Sequence, residues 1–107
     1  MEENELREFF RFKISQELNW FRLAVLNKKP DEIYAMAYQI DTMINIYELM
    51  LEMSTDMDSA TLHGLIHIHN PMTYLYELWL KYEDGRMEEL QGFLVRAVKD
   101  MENAKSA

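Results

Sequence analysis

The chain contains no cysteine. That removes disulfides, thiolate metal sites and thiol nucleophiles in one step, and it fits a reducing cytoplasm, the compartment the sequence leads us to expect. Glycine and proline are nearly as scarce, with three and two among 107 residues. No stretch is rich in Ser, Gly or Pro, so nothing reads as an interdomain linker and residues 1–107 are expected to form one helical domain. Long apolar runs are missing as well. None approaches the roughly 20 residues needed to cross a bilayer, and the acidic start Met1-Glu2-Glu3-Asn4-Glu5 is the reverse of a basic secretory leader. Basic charge is short: 11 Lys and Arg face 19 Asp and Glu, for a net −8 at pH 7. That balance argues against direct nucleic-acid binding, whose affinity rests on cations neutralising phosphates, and against docking on anionic membranes.

What is present is apolar material, at 49% of residues, recurring at spacings of three and four. This is the pattern of helices that each bury one stripe, so the expected class is all-α, a compact bundle of about four helices. The first helix spans 3–26, with Leu6, Phe10, Ile14, Leu18, Phe21 and Val25 on its stripe. Phe9, Phe12, Trp20 and Leu23 widen that face, as though it met more than one partner helix. Asn27-Lys28-Lys29 supplies a residue tolerant of the left-handed conformation and two cations, and Pro30 then opens a second helix, 30–53, with Asp31 and Glu32 in its first turn. Its stripe is read as Ile33, Ala37, Ile40, Ile44, Tyr47 and Leu51. A short helix over 58–67 carries Leu62, Leu65 and Ile66. The alternating Ile66-His67-Ile68-His69 is too short for an unpartnered strand and reads as an extended connector. Asn70-Pro71 repeats the cap-then-proline arrangement and opens a long last helix over 71–103, with a kink or break expected at 84–86 around Gly85.

Pro30-Asp31-Glu32-Ile33 followed by Ala37-Tyr38, the run Ile44 to Met50, and Asn70-Pro71-Met72 leading through Tyr76, Trp79 and Glu83 to Met87-Glu88 carry a resemblance. Over residues 3–98 the chain resembles an uncharacterised family of small helical proteins, a domain of unknown function from gut Firmicutes and their mobile elements. The resemblance implies a helical fold and a mobile-element setting. It implies no activity and no site residue, since the matching residues are packing and capping signals.

No Gly-rich phosphate loop, nucleophile elbow or pair of acids within an apolar run is present, so neither an enzyme nor a cofactor is expected. Three histidines are the weak candidates for metal ligation. His63 and His67 share a helix face at i and i+4, with His69 two residues on, but Gly64 follows His63 where a metalloprotease motif needs glutamate. Met36, Met43, Met50 and Met57 recur every seven residues. They read first as core packing, and second as an adaptable groove fed by Met50, Met53 and Met57. Tyr34, Tyr38, Tyr74, Tyr76, Tyr82 and Trp79 are candidate interface aromatics. The spacing of Met87, Leu90, Leu94, Ala97 and Met101 offers a route to a homodimer.

Acid is unevenly placed. From Pro30 to Leu80 there is no Lys or Arg, and the eight acids of that segment account for the whole net charge. Asp41, Glu48 and Glu52 fall on one side of the second helix, and Asp56 and Asp58 continue the patch beyond it. The expected function is therefore a non-enzymatic interaction module or regulator whose protein partner carries a basic surface. The alternative is an acidic inhibitor of a nucleic-acid enzyme, of the anti-CRISPR or anti-restriction type. Three carboxylates over roughly 16 Å of helix are sparse beside the charge every 1.7 Å or so along DNA.

Overall fold

A computed structural model of the chain describes residues 2–82 and 90–106. Among these the only regular elements are six helices, namely α1 (Glu3–Leu26), α2 (Pro30–Ala35), α3 (Ala37–Ser54), α4 (Ser59–Ile66), α5 (Pro71–Tyr82) and α6 (Leu90–Ser106). None of them is long and apolar enough to cross a membrane.

α1 has the expected limits, and Leu6, Phe10, Ile14 and Val25 are buried along it with Leu18 and Phe21 partly so. It ends at Asn27, which stays in the right-handed region at φ −86°, so no left-handed cap is used. α1 packs on α3, α4 and α5, but not through the residues expected to widen its face. Phe9, Phe12, Trp20 and Leu23 are 43–69% exposed, on a side of the helix roughly 130° from the buried stripe at 100° per residue.

Two of the four expected helices divide, which gives six. The 30–53 helix bends at Met36, whose φ of −93° and ψ of 6° lie outside the helical well. Hydrogen bonds carry through the bend, from Met36 N–H to the Glu32 carbonyl and from Ile40 N–H to the Met36 carbonyl. The physical reason is burial: α2 buries no residue, so packing does not hold it in line with α3. α3 in turn buries Thr42, Met43, Ile46, Met50 and Ser54. Its core face is therefore the methionine row, and the expected stripe is displaced toward the surface, with Ile44 42% exposed.

α4 starts at its Asp58 cap, where Thr61 N–H donates to Asp58 Oδ1 at 2.9 Å. The segment after it turns and bends from His67 to Asn70 rather than running extended, and Ile66 is still helical. The 71–103 helix is corrected too. Trp79 and Phe93 meet edge to face with ring centroids 5.4 Å apart, whereas one straight helix would separate them by roughly 21 Å. α5 and α6 are thus two packed helices; the break expected at Gly85 lies outside the described residues.

These elements close over one core. Phe10, Ile14, Ile46, Met50, Leu62, Leu65, Met72, Leu75 and Leu94 are fully buried, and each such side chain contributes about 1.5–3 kcal/mol of transfer free energy against the entropy of ordering it.

Candidate functional site

Four ionised side chains of α1, namely Arg7, Arg11, Lys13 and Glu17, reach the ends of other helices. Arg7 Nε donates to the Ser54 carbonyl at 2.7 Å and Arg7 Nη2 to the Met57 carbonyl at 2.9 Å. Arg11 Nε and Nη2 donate to Ser54 Oγ and Thr55 Oγ1 at 2.9 and 3.1 Å. The carbonyl end of α3 thus receives two guanidinium groups, the sign its dipole favours. Lys13 Nζ does the same for α4 through the Ile66 carbonyl. At the start of α5 the sign reverses. Glu17, itself buried, accepts Met72 N–H at 2.9 Å through Oε1, and Thr73 N–H and Oγ1 at 2.8 and 2.7 Å through Oε2. These acceptors, from 55 residues away, serve the helix start at which Asn70 was expected to act.

With those charges occupied, the candidate surface is what remains open. Asp41, Glu48, Glu52, Asp56 and Asp58 are all exposed. The first three lie on the outer side of α3, Glu48 seven residues after Asp41 and Glu52 four after Glu48. Asp41 accepts from Asn45 Nδ2 at 3.4 Å. Asp58 is a cap, and the Thr61 amide and then the Thr61 hydroxyl hold its carboxyl below the ordinary 3.8. Met50 and Met57 are in the core and Met53 packs on it, so the methionines form no open groove.

Among the candidate aromatics, Tyr76 and Trp79 are buried, and Trp79 Nε1 donates to Tyr38 Oη at 2.8 Å. Tyr34 and Tyr38 remain exposed, at 85% and 50%, while the side chain of Tyr82 lies outside the described residues. Leu94 is buried, and Leu90, Ala97 and Met101 pack against the core. Of the α6 face expected to offer a dimer, Leu94 is committed to the core, while Leu90, Ala97 and Met101 are only partly buried; Met87 lies outside the described residues.

The histidines separate in the same way. His63 and His67 come together, with rings 6.0 Å apart and His67 Nδ1 2.7 Å from the His63 carbonyl. His69 does not join them, and no group of three His, Asp or Glu side chains that could hold a metal ion occurs among the described residues.

Two features went unread in the sequence. One is a groove of about 210 Å³ between the C-terminal half of α1 and the start of α3, lined by Leu18, Phe21, Arg22, Val25, Leu26, Ile40 and Ile44 with an entirely apolar surface. Its signal was the coexistence of two apolar stripes on α3, only one of which can face the core. Asp41 and Glu48 stand one turn either side of Ile44 and so edge the groove. The other is Glu17, an acid on the apolar stripe of α1. A wider hollow of about 660 Å³ lies between α5 and α6, with Lys81, Arg96 and Asp100 around Tyr74, Leu78 and Phe93. Comparison with family models, with curated proteins and with solved structures gives no match.

Proposed function

We propose that the chain is a non-enzymatic helical protein-interaction module that seats an apolar side chain of a partner in the α1/α3 groove. The partner's basic groups then face Asp41, Glu48 and Glu52. The observation that carries this reading is the wholly apolar groove beside an exposed carboxylate row. At about 210 Å³ the groove is smaller than the 300–1,000 Å³ or so typical of small-molecule sites, and it suits one or two anchoring side chains. The carboxylates supply attraction over a Debye length and so raise the association rate of a basic partner. The family resemblance makes a mobile element the setting we infer for such a regulator.

Affinity capture from the native host at low and high salt tests the reading. Ile44, already exposed, tolerates replacement without loss of fold, and Ile44→Glu is expected to weaken partner retention at least tenfold or so at either salt. Asp41→Asn with Glu48→Gln should weaken it mainly at low salt. Retention unchanged in both variants would refute the proposal. An acidic inhibitor of a nucleic-acid enzyme gives a different pattern: neutralising Asp41, Glu48, Asp56 and Asp58 abolishes binding and Ile44→Glu leaves it intact.

A further inference from the structure

α1 has a second apolar side that the groove does not use. Phe9, Phe12, Trp20 and Leu23 are 46%, 62%, 69% and 43% exposed, and they follow one another at three, eight and three residues with exposed Gln16 midway. Among the described residues, none of the four belongs to the core or packs against it. Taking about 200 Å² for a large side chain, they leave roughly 450 Å² of apolar surface in one stripe, the size of the largest patch on a typical monomer, which is often functional.

We infer that this stripe is covered by the same stripe of a second copy, with the two α1 helices antiparallel across a two-fold axis near Gln16. Three properties of α1 point to that occupant. The first is internal symmetry: reversal about Gln16 sets Phe9 against the other copy's Leu23 and Phe12 against its Trp20, each contact occurring twice as a two-fold interface requires. The second is charge. Glu2, Glu3, Glu5 and Glu8 crowd the N-terminal end, whereas residues 18–29 hold Arg22, Lys28 and Lys29 and no acid. Arg7 and Arg11, the cations near the acidic end, reach α3 and also pair with Glu3 at 3.1 Å and Glu8 at 3.3 Å, so the excess acid of that end rests on Glu2 and Glu5. Antiparallel pairing lays the acidic end of one helix on the basic end of the other, and parallel pairing lays like on like. The third is area. Roughly 900 Å² of apolar surface per pair, with the flanks of Glu5, Glu8 and Asn19 added, approaches the 1,200 Å² or so of a specific interface.

The absence of native cysteine makes the geometry directly testable. Sedimentation equilibrium between about 1 and about 100 μM should give a dimer mass at the upper end. Trp20→Glu, with helicity by circular dichroism unchanged, should weaken the dimer at least tenfold or so. Gln16→Cys should form an intermolecular disulfide under mild oxidation well ahead of Glu48→Cys on the outer side of α3. A monomer at about 100 μM, a dimer indifferent to Trp20→Glu, or equal cross-linking at the two positions would each overturn the inference. A monomer whose Trp20→Glu variant loses a host protein would assign the stripe to a different partner. The groove reading stands or falls separately, on Ile44.

Discussion

Glu17 lies between Ile14 and Phe21 on the buried stripe of α1, where a carboxylate without partners would cost several kcal/mol. Three donors at 2.7–2.9 Å from Met72 and Thr73 offset that cost, and in doing so they fix the start of α5 against the middle of α1. Removing the carboxylate strands two backbone amides at a helix N-terminus that packing has drawn away from water. Glu17→Ala is therefore expected to destabilise the fold by about 2–4 kcal/mol, summing a lost cap and lost charged hydrogen bonds. Glu17→Gln keeps the volume but offers one acceptor oxygen where three donors converge, and should fall between parent and alanine. Urea unfolding with an unchanged slope against denaturant measures both. An alanine variant as stable as the parent would mean that these amides are satisfied by water.

At the scale of the helix, ends matter as much as faces. α4 depends on Asp58, whose pKa the Thr61 amide and then the Thr61 hydroxyl lower from the ordinary 3.8. A lowered folded-state pKa means that the ionised cap stabilises the fold fully above 3.8, and that this contribution disappears as pH falls through the lower folded value. Asp58→Ala should accordingly lower the melting midpoint by a constant amount from about pH 7 to about pH 5, and by less once the pH falls through the lowered folded value, where the parent loses its charge too. A gap of constant width down to the lowest pH would show that ionisation is irrelevant to the cap. This end was legible, because Asp58 precedes its helix directly in sequence, and so were the limits of α1 and the Pro30 and Pro71 starts. Glu17 at the α5 start and Arg7, Arg11 and Lys13 at the α3 and α4 ends were not, since their partners lie 43–56 residues away. The same distinction holds for faces. Periodicity finds that α3 is amphipathic, but choosing between the Ile40/Ile44 stripe and the Met43/Met50 row depends on where α1 and α5 sit. The groove follows from that choice. The carboxylate row Asp41, Glu48 and Glu52 was legible as a surface because acids without partners stay in water.

Across the whole molecule the charge map differs from the one written in the sequence. The segment from Pro30 to Leu80 carries eight acids and no Lys or Arg, yet Arg7, Arg11 and Lys13 fold onto its helix ends. Those contacts are short and partly enclosed, with the Arg7 side chain only 12% exposed, so salt screens them weakly. The repulsions are different in kind: Glu48 and Glu52 face each other one turn apart in full solvent, at a spacing where like charges destabilise a helix, and the net charge of −8 adds a long-range term that opposes compactness. Salt should therefore remove more repulsion than attraction. We expect the melting midpoint to rise by about 2–5 °C between about 20 and about 500 mM NaCl. Glu48→Gln with Glu52→Gln should raise the midpoint at low salt and flatten that rise, since it deletes the screened term beforehand. A midpoint that falls with added salt would reverse the ranking, making the capping contacts of α1 the exposed and screenable ones and the carboxylate face electrostatically idle.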